Sequence, residues 1–290
     1  MDIRKLALQQ EPFIIDTRRD LHRHPELSWQ EERTTRMLAD ALIALGIPVQ
    51  RFPGKTGVMG ILRGEKSPSD AVVVLRADID ALPIAERTGL PFESVNAGVM
   101  HACGHDCHAA MLLGAARILN TVKAEFSGEV RLLFQAAEEI NSGAEYCLAQ
   151  GALAGAGAVF GLHVWGDLDA PYFNLADGSR MASCDNFTVT VRGVPAHGSA
   201  PHQGVDAIVA AAAIVTQVQT LVSRGNDPRS PLVVTIGEIH GGKRFNIIAD
   251  TVEMIGTVRT HDKAVRAQVE PQLRRVAEHT AAALGATAVG

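Results

Sequence analysis

No stretch of this sequence approaches the ~18 consecutive apolar residues that a membrane-spanning helix requires. A surplus of basic charge is missing too: the net charge is -5, which gives nucleic acid no electrostatic footing. A secretory signal is absent from the first residues, where Asp2, Arg4, Lys5 and Glu11 interrupt short apolar runs. Cysteine is scarce. Cys103, Cys107, Cys147 and Cys184 include no C-x-x-C pair and are too few in 290 residues for a disulfide framework. Internal repeats and low-complexity segments are also lacking. What remains is 47 % hydrophobic and 20 % charged residues, an ordinary soluble composition with room for two domains. A cytoplasmic protein is the default expectation.

Apolar periodicity divides the chain in two. Ser28 and Glu31 have capping-box spacing ahead of an apolar stripe of Met37, Leu38, Leu42 and Leu45, closed by Gly46. Val58–Leu62, Ala71–Leu75, Val130–Phe134 and Ala158–Val164 read as strands, the second apolar throughout and so expected to be buried on both faces, and the last another buried strand. Ala109–Leu119 and Gly143–Leu148 read as helices. Strands alternating with helices predict an α/β layer architecture for residues 1–183.

Beyond residue 183 the pattern changes. Phe187–Arg192 alternates like a strand with one wet face, and Asp206–Val222 is an alanine-rich helix. Leu232–Ile236 and Thr251–Val258 read as strands, and Ala264–Leu284 as a helix. The order β, α, β, β, α is a ferredoxin-like unit without its last strand, which predicts an incomplete α+β lid over residues 184–290.

The densest chemistry lies in Met100-His101-Ala102-Cys103-Gly104-His105-Asp106-Cys107-His108. So many polar side chains are not buried without partners. Cys103 and His105, flanking Gly104, can turn toward one point, and thiolate and imidazole both suit zinc-like metals. A chance polar loop is the plain alternative. No second pair follows at zinc-finger spacing. Glu138 and Glu139 emerge from an apolar strand, a placement that suits one metal-binding carboxylate and one proton-handling one. They could equally cap the following helix. His163 closes another apolar strand, where a lone histidine is ordinarily a hydrogen-bonded core residue. Combined, the three gain weight, because sites in open α/β sheets form at the carboxyl ends of strands. Asp78 and Asp80, after the Ala71–Leu75 strand, fit a supporting shell for a metal-bound imidazole. An ion pair with Arg76 would explain Asp78 as well.

Together these segments resemble the M20 metallopeptidase and amidohydrolase family, above all its hippurate hydrolase and N-acyl amino acid amidohydrolase branch. His22-Arg23-His24-Pro25-Glu26-Leu27-Ser28 carries the resemblance, with Leu75–Pro83, Met100–His108, Phe134–Glu139 and Gly161-Leu162-His163. Gly193–His202 and Gly241–Ile248 extend it into the second half. The resemblance implies a mixed-sheet α/β/α catalytic domain with an inserted ferredoxin-like lid. It implies two divalent ions, manganese or zinc, with Cys103, His105, Glu139 and His163 as ligands. It makes Glu138 the general base, His197 of the lid a stabiliser of the developing oxyanion, and Asn246 a substrate contact. The substrate would be an N-acyl or N-aroyl amino acid, with homodimerisation through the lid. Two departures stand out: Ala249 replaces a usual proline, and the sequence ends before the family's last metal-binding histidine. It therefore reads as a C-terminally truncated member. Two rivals stay open: an impaired, dimerising scaffold, and a cysteine hydrolase with Cys103 as nucleophile and His105 as base.

Overall fold

The computed structural model describes residues 2–290. The chain forms two compact units, Met1–Phe173 and Asn174–Gly290. In the first, the elements run α1 (Ile3–Arg23), α2 (Glu32–Ala44), β1 (Val49–Arg51), β2 (Val58–Arg63), β3 (Val72–Asp78), α3 (His105–Thr121), β4 (Glu129–Gln135), α4 (Gly143–Ala149) and β5 (Ala158–Gly161). The sheet order is β1-β2-β4-β3-β5. β1 and β4 run antiparallel to β2, whereas β3 is parallel to both β4 and β5. The sheet is therefore mixed, as the resemblance implied.

Alternation along β4 builds three layers. Leu132 and Phe134 join one apolar cluster with Leu38, Leu42, Ala109 and Leu113 of α2 and α3. Leu133 faces the other way, into a cluster with Met59, Val74 and Cys147 of α4. Helix α1, which apolar periodicity does not reveal, packs Phe13 and Leu21 into the first cluster. Its signal is thin because only Leu21 and His22 are buried and Pro12 lies within it.

Three sequence expectations are corrected here. Ser28 and Glu31 do not form a capping box. Helix α2 has no side-chain cap from Glu31. The Glu26 carboxylate instead accepts the Arg33 and Thr34 amides at 2.9 and 2.8 Å. The β3 strand runs on to Asp78 and is not buried on both faces, since Val73 is exposed while Val74 is buried. Likewise β5 ends at Gly161 and is exposed at every residue. It stands at one end of the sheet order, opposite β1.

The second unit contains β6 (Asp185–Arg192), α5 (Ala207–Ser223), β7 (Leu232–Gly241), β8 (Thr251–Thr260), α6 (Lys263–Ala283) and β9 (Thr287–Val289). Its sheet, ordered β7-β8-β6-β9, is antiparallel throughout. Ile214 and Val218 of α5 and Leu273 of α6 pack with Val189, Val191, Val252 and Met254 of the strands. The expectation that the lid lacks its last strand is overturned: β9 pairs with β6 through Thr287–Arg192, Ala288–Val191 and Val289–Thr190. Gly285, at φ 76°, turns the chain back after α6. Three residues carry too little alternation to announce a strand; the distant β6 edge supplies the pairing. Among the described residues no helix is long and apolar enough to cross a membrane.

Removing the true cap tests the corrected helix start. Glu26→Ala is expected to cost about 1 kcal/mol in urea unfolding of the first unit. It should also speed hydrogen exchange at the Arg33 and Thr34 amides, which Glu31→Ala should leave protected.

Candidate metal centre

The parallel strands β4, β3 and β5 end at a common sheet edge, with Asp78 beside Gln135 and Arg76 beside Gly161. The loops leaving this edge carry Asp80, Glu138, Glu139 and His163. Facing them is the start of α3, four residues earlier than periodicity placed it, so His105 and His108 lie in its first turn. Gly104 precedes this turn at φ 85°, and a Cβ there would lie 2.3 Å from Val164 Cγ2. Only glycine accepts both that backbone and that approach. Cys103 is thereby brought to His163, Sγ to Nε2, at 3.4 Å.

His105 is the hub. Its imidazole is fully buried. Nδ1–H donates to the Asp80 carbonyl at 2.9 Å, with Asp80 Oδ1 at 3.3 Å. This orients the ring and leaves Nε2 facing the site. Glu139 Oε1 lies 3.7 Å from Nε2, Asp78 Oδ2 3.6 Å and Glu138 Oε2 4.0 Å. Three donor groups of cation-binding size share this histidine: Cys103–His105–His163, His105–Glu138–Glu139 and Asp78–His105–His108. Two buried atoms, His105 Nε2 and Glu139 Oε1, lack any hydrogen-bond partner. Unpaired buried polar atoms are costly. A divalent cation between them would remove that cost, and sulfur, nitrogen and oxygen donors together suit a divalent metal ion. The residues therefore fit such an ion.

The field around His105 favours positive charge, whether carried by a proton or by a cation. Burial would push His105 down, but its bond to Asp80, the neighbouring Cys103 sulfur and the charge of Asp78 carry it up to about 11. Burial raises the Glu138 carboxyl above its ordinary range, Asp78 adding to the shift and His105 opposing it.

The paired glutamates do not sit on an extended strand. They come after Ala137, whose φ is 52°, in a turn closed by Asn141 N–H to the Glu138 carbonyl at 2.9 Å. Residues 28–31 hold this turn. Glu31, wholly buried, accepts the Ala137 amide at 2.9 Å and the Thr56 hydroxyl at 2.5 Å. Trp29 Nε1 donates to Ser142 Oγ at 2.9 Å. Ser28 donates to Asp80 Oδ2 at 2.7 Å, and the same oxygen accepts the Glu139 amide at 3.0 Å. Burial alone would raise the Asp80 pKa; the bonds from His105, Glu139 and Ser28 outweigh it and lower the value. Gly143 completes the packing, since a Cβ there would fall 1.7 Å from the Ala136 carbonyl oxygen.

Asp78 makes the Arg76 ion pair and also holds a histidine, His108. Its Oδ2 receives Arg76 Nη1 at 2.8 Å and its Oδ1 receives His108 Nδ1–H at 2.5 Å. Burial opposes, but His108, His105 and Arg76 bring its carboxyl down to about 2. Asp106 turns away and pairs with His22 at 2.8 Å and Arg18 at 2.7 Å. Sequence pattern alone does not single out Glu31 or His108. Glu31 has the spacing of a cap, and His108 is one of several histidines in a row.

In the second unit, His197 is exposed and its Nδ1 lies 2.7 Å from Ser199 Oγ. A β-bridge joins His197 to Ile247, and Gly198 N–H donates to the Asn246 carbonyl at 2.8 Å. The two lid residues singled out from the sequence thus lie on adjoining loops. Asn246 Oδ1 is buried without a partner.

Comparison with known proteins places this geometry. Residues 74–286 match the model of Peptidase family M20/M25/M40. An N-acetyl-L-cysteine deacetylase of Bacillus subtilis is 44 % identical over 273 residues, covering 94 % of this chain and 65 % of the relative. An N-acyl-L-amino acid amidohydrolase of Geobacillus stearothermophilus is 41 % identical over 287 residues, covering 99 % and 77 %. A Bacillus subtilis crystal structure, described as a dinuclear metal-binding peptidase from the M20 family, is 40 % identical with a TM-score of 0.81, covering 99 % of this chain and 73 % of that one. The chain thus spans about two thirds to three quarters of the length of these relatives. A family match over most of the sequence, relatives above 40 % identity and a shared fold agree: the chain belongs to peptidase family M20/M25/M40.

Proposed function

We propose that this chain carries the metal-binding and base-bearing part of an amidohydrolase that cleaves N-acyl amino acids. The observation that supports it most is the meeting of Cys103, His105, Glu138, Glu139 and His163 at one sheet edge, with buried lone pairs on His105 and Glu139 left unpaired. Relatives named for N-acyl-L-amino acid and N-acetylcysteine hydrolysis support the substrate class. An N-aroyl substrate of the hippurate kind belongs to the same class.

In this reading Cys103, His105, Glu139 and His163 hold two divalent ions, zinc or manganese. Bound there, they would supply Lewis-acid activation of water and of the scissile carbonyl. Glu138, left out of the ligand set and raised by burial, takes a proton from the attacking water and returns it to the leaving amine. His197 steadies the developing oxyanion and Asn246 contacts the substrate. Asp80 holds His105 and the Glu139 backbone, and Asp78 serves the other side of the site. Association through the lid into a homodimer, in the cytoplasm, completes the proposal. The exposed Val233 and Ile239 on the outermost strand β7 support such a contact.

A second reading has one observation in its favour: Cys103 Sγ and His163 Nε2 are 3.4 Å apart, the spacing of a thiol nucleophile and its base. It leaves Glu139 and the free nitrogen of His105 without a task. Chelation separates the two. Hydrolysis of N-acetyl amino acids should vanish with a strong chelator and return with zinc or manganese; hydrolysis that survives chelation would favour the thiol. Stoichiometric metal without turnover would favour a non-catalytic scaffold.

Two substitutions test the assigned roles. Glu138→Gln should lower turnover by about 10²–10⁴-fold while metal content by plasma emission stays unchanged. Cys103→Ala should lower metal content itself, and full retention would remove Cys103 from the ligand set.

A further inference from the structure

His108 sits in a donor group of cation-binding size with Asp78 and His105, yet neither of its ring nitrogens is free. Nδ1–H donates to Asp78 Oδ1 at 2.5 Å. On the far side of the ring, Nε2 accepts the Val164 amide at 2.9 Å. One nitrogen gives a proton and the other receives one, so the ring is the neutral Nδ1–H tautomer with its lone pair engaged. The ring is 3 % exposed, and Arg76 anchors the second oxygen of Asp78 at 2.8 Å. This buried nitrogen therefore points at a backbone group, not at the space where the ligands converge.

That backbone group matters because of its neighbour. His163 lies two residues beyond β5, on an exposed segment with no strand pairing of its own. Its Nδ1 reaches the Val164 carbonyl at 2.5 Å, which turns Nε2 toward Cys103. Val164 is thus fixed at its amide by His108, is in tight contact with Gly104 through Cγ2, and offers its carbonyl to His163. The His108 and His163 rings pack edge to face with centroids 4.7 Å apart.

We propose that His108 is a positioning residue: anchored by Asp78, it clamps the Val164 backbone so that His163 presents Nε2 to the metal site. The proposal rests on the reading of His163 as a ligand. A support that orients a ligating histidine ordinarily changes metal affinity when it is lost.

The two hydrogen bonds of His108 can be separated by substitution. Glutamine places its oxygen near the position of Nε2 and can still accept the Val164 amide. Asparagine is too short to do so and reaches only toward Asp78. Hydrogen exchange in the metal-free chain gives the first readout: the Val164 amide should stay protected in His108→Gln and exchange rapidly in His108→Asn. Cobalt(II) gives the second, through titration followed by the thiolate charge-transfer band. His108→Gln should bind within about threefold of the unsubstituted chain, and His108→Asn ~10–100-fold more weakly. Because His108 acts through His163, His108→Asn combined with His163→Ala should bind no more weakly than His163→Ala alone.

Equal protection of Val164 in both variants, equal cobalt affinity in both, or additive losses in the double variant would overturn the proposal. If His163→Ala binds cobalt as tightly as the unsubstituted chain, the ligand reading itself fails. The exchange result would then still report whether the clamp exists.

Discussion

A carboxylate can be buried in this fold only if its lone pairs are taken, and Asp80 meets that condition by joining the parts of the site. One oxygen and its own carbonyl receive His105; the other oxygen receives the Glu139 amide and the Ser28 hydroxyl. Three segments far apart in sequence, an N-terminal loop, the first turn of α3 and the turn after β4, therefore meet on one side chain. The parallel register of β3 with β4 brings the strand ends level, but it does not orient the loops beyond them. Asp80 does, and its lowered pKa reflects hydrogen bonds strong enough to outweigh the cost of burial.

The polar supports share a pattern. Asp80 holds His105, Glu31 holds the backbone ahead of the glutamate pair, and Asp78 holds His108. In each case a buried carboxylate is satisfied by groups that border the donor cluster. Side chains that reach toward a cation are thus fixed by others that do not, and stability and function draw on the same hydrogen bonds. Weakening any of them leaves a buried charge short of partners as well as a donor misaligned.

Much of this was legible in the chain itself, for reasons specific to each element. Strands β2 and β4 and helices α3, α5 and α6 announce themselves by period, and the shift from alternating strand and helix to a wet-faced strand marks the second unit. The donors stood out because cysteine, histidine and paired glutamate are rare at strand ends. What escaped notice were contacts made across the fold. Ser28 and Glu31 have the spacing of a local cap, and nothing within a few residues says that they serve Asp80 and Ala137 instead. Strand β9 depends on an edge that lies a hundred residues away.

One lone pair has a consequence for how such a centre fills. The three donor groups all count His105 among their members, but its one inward-facing nitrogen can be given to only one cation at a time. Whichever ion takes it would leave a second ion with His163 and the remaining sulfur or carboxylate donors. Two cations held here would therefore have different donor sets, only one of them sharing the fully buried His105 imidazole. Occupancy should therefore proceed in order, with a singly loaded state as a distinct species.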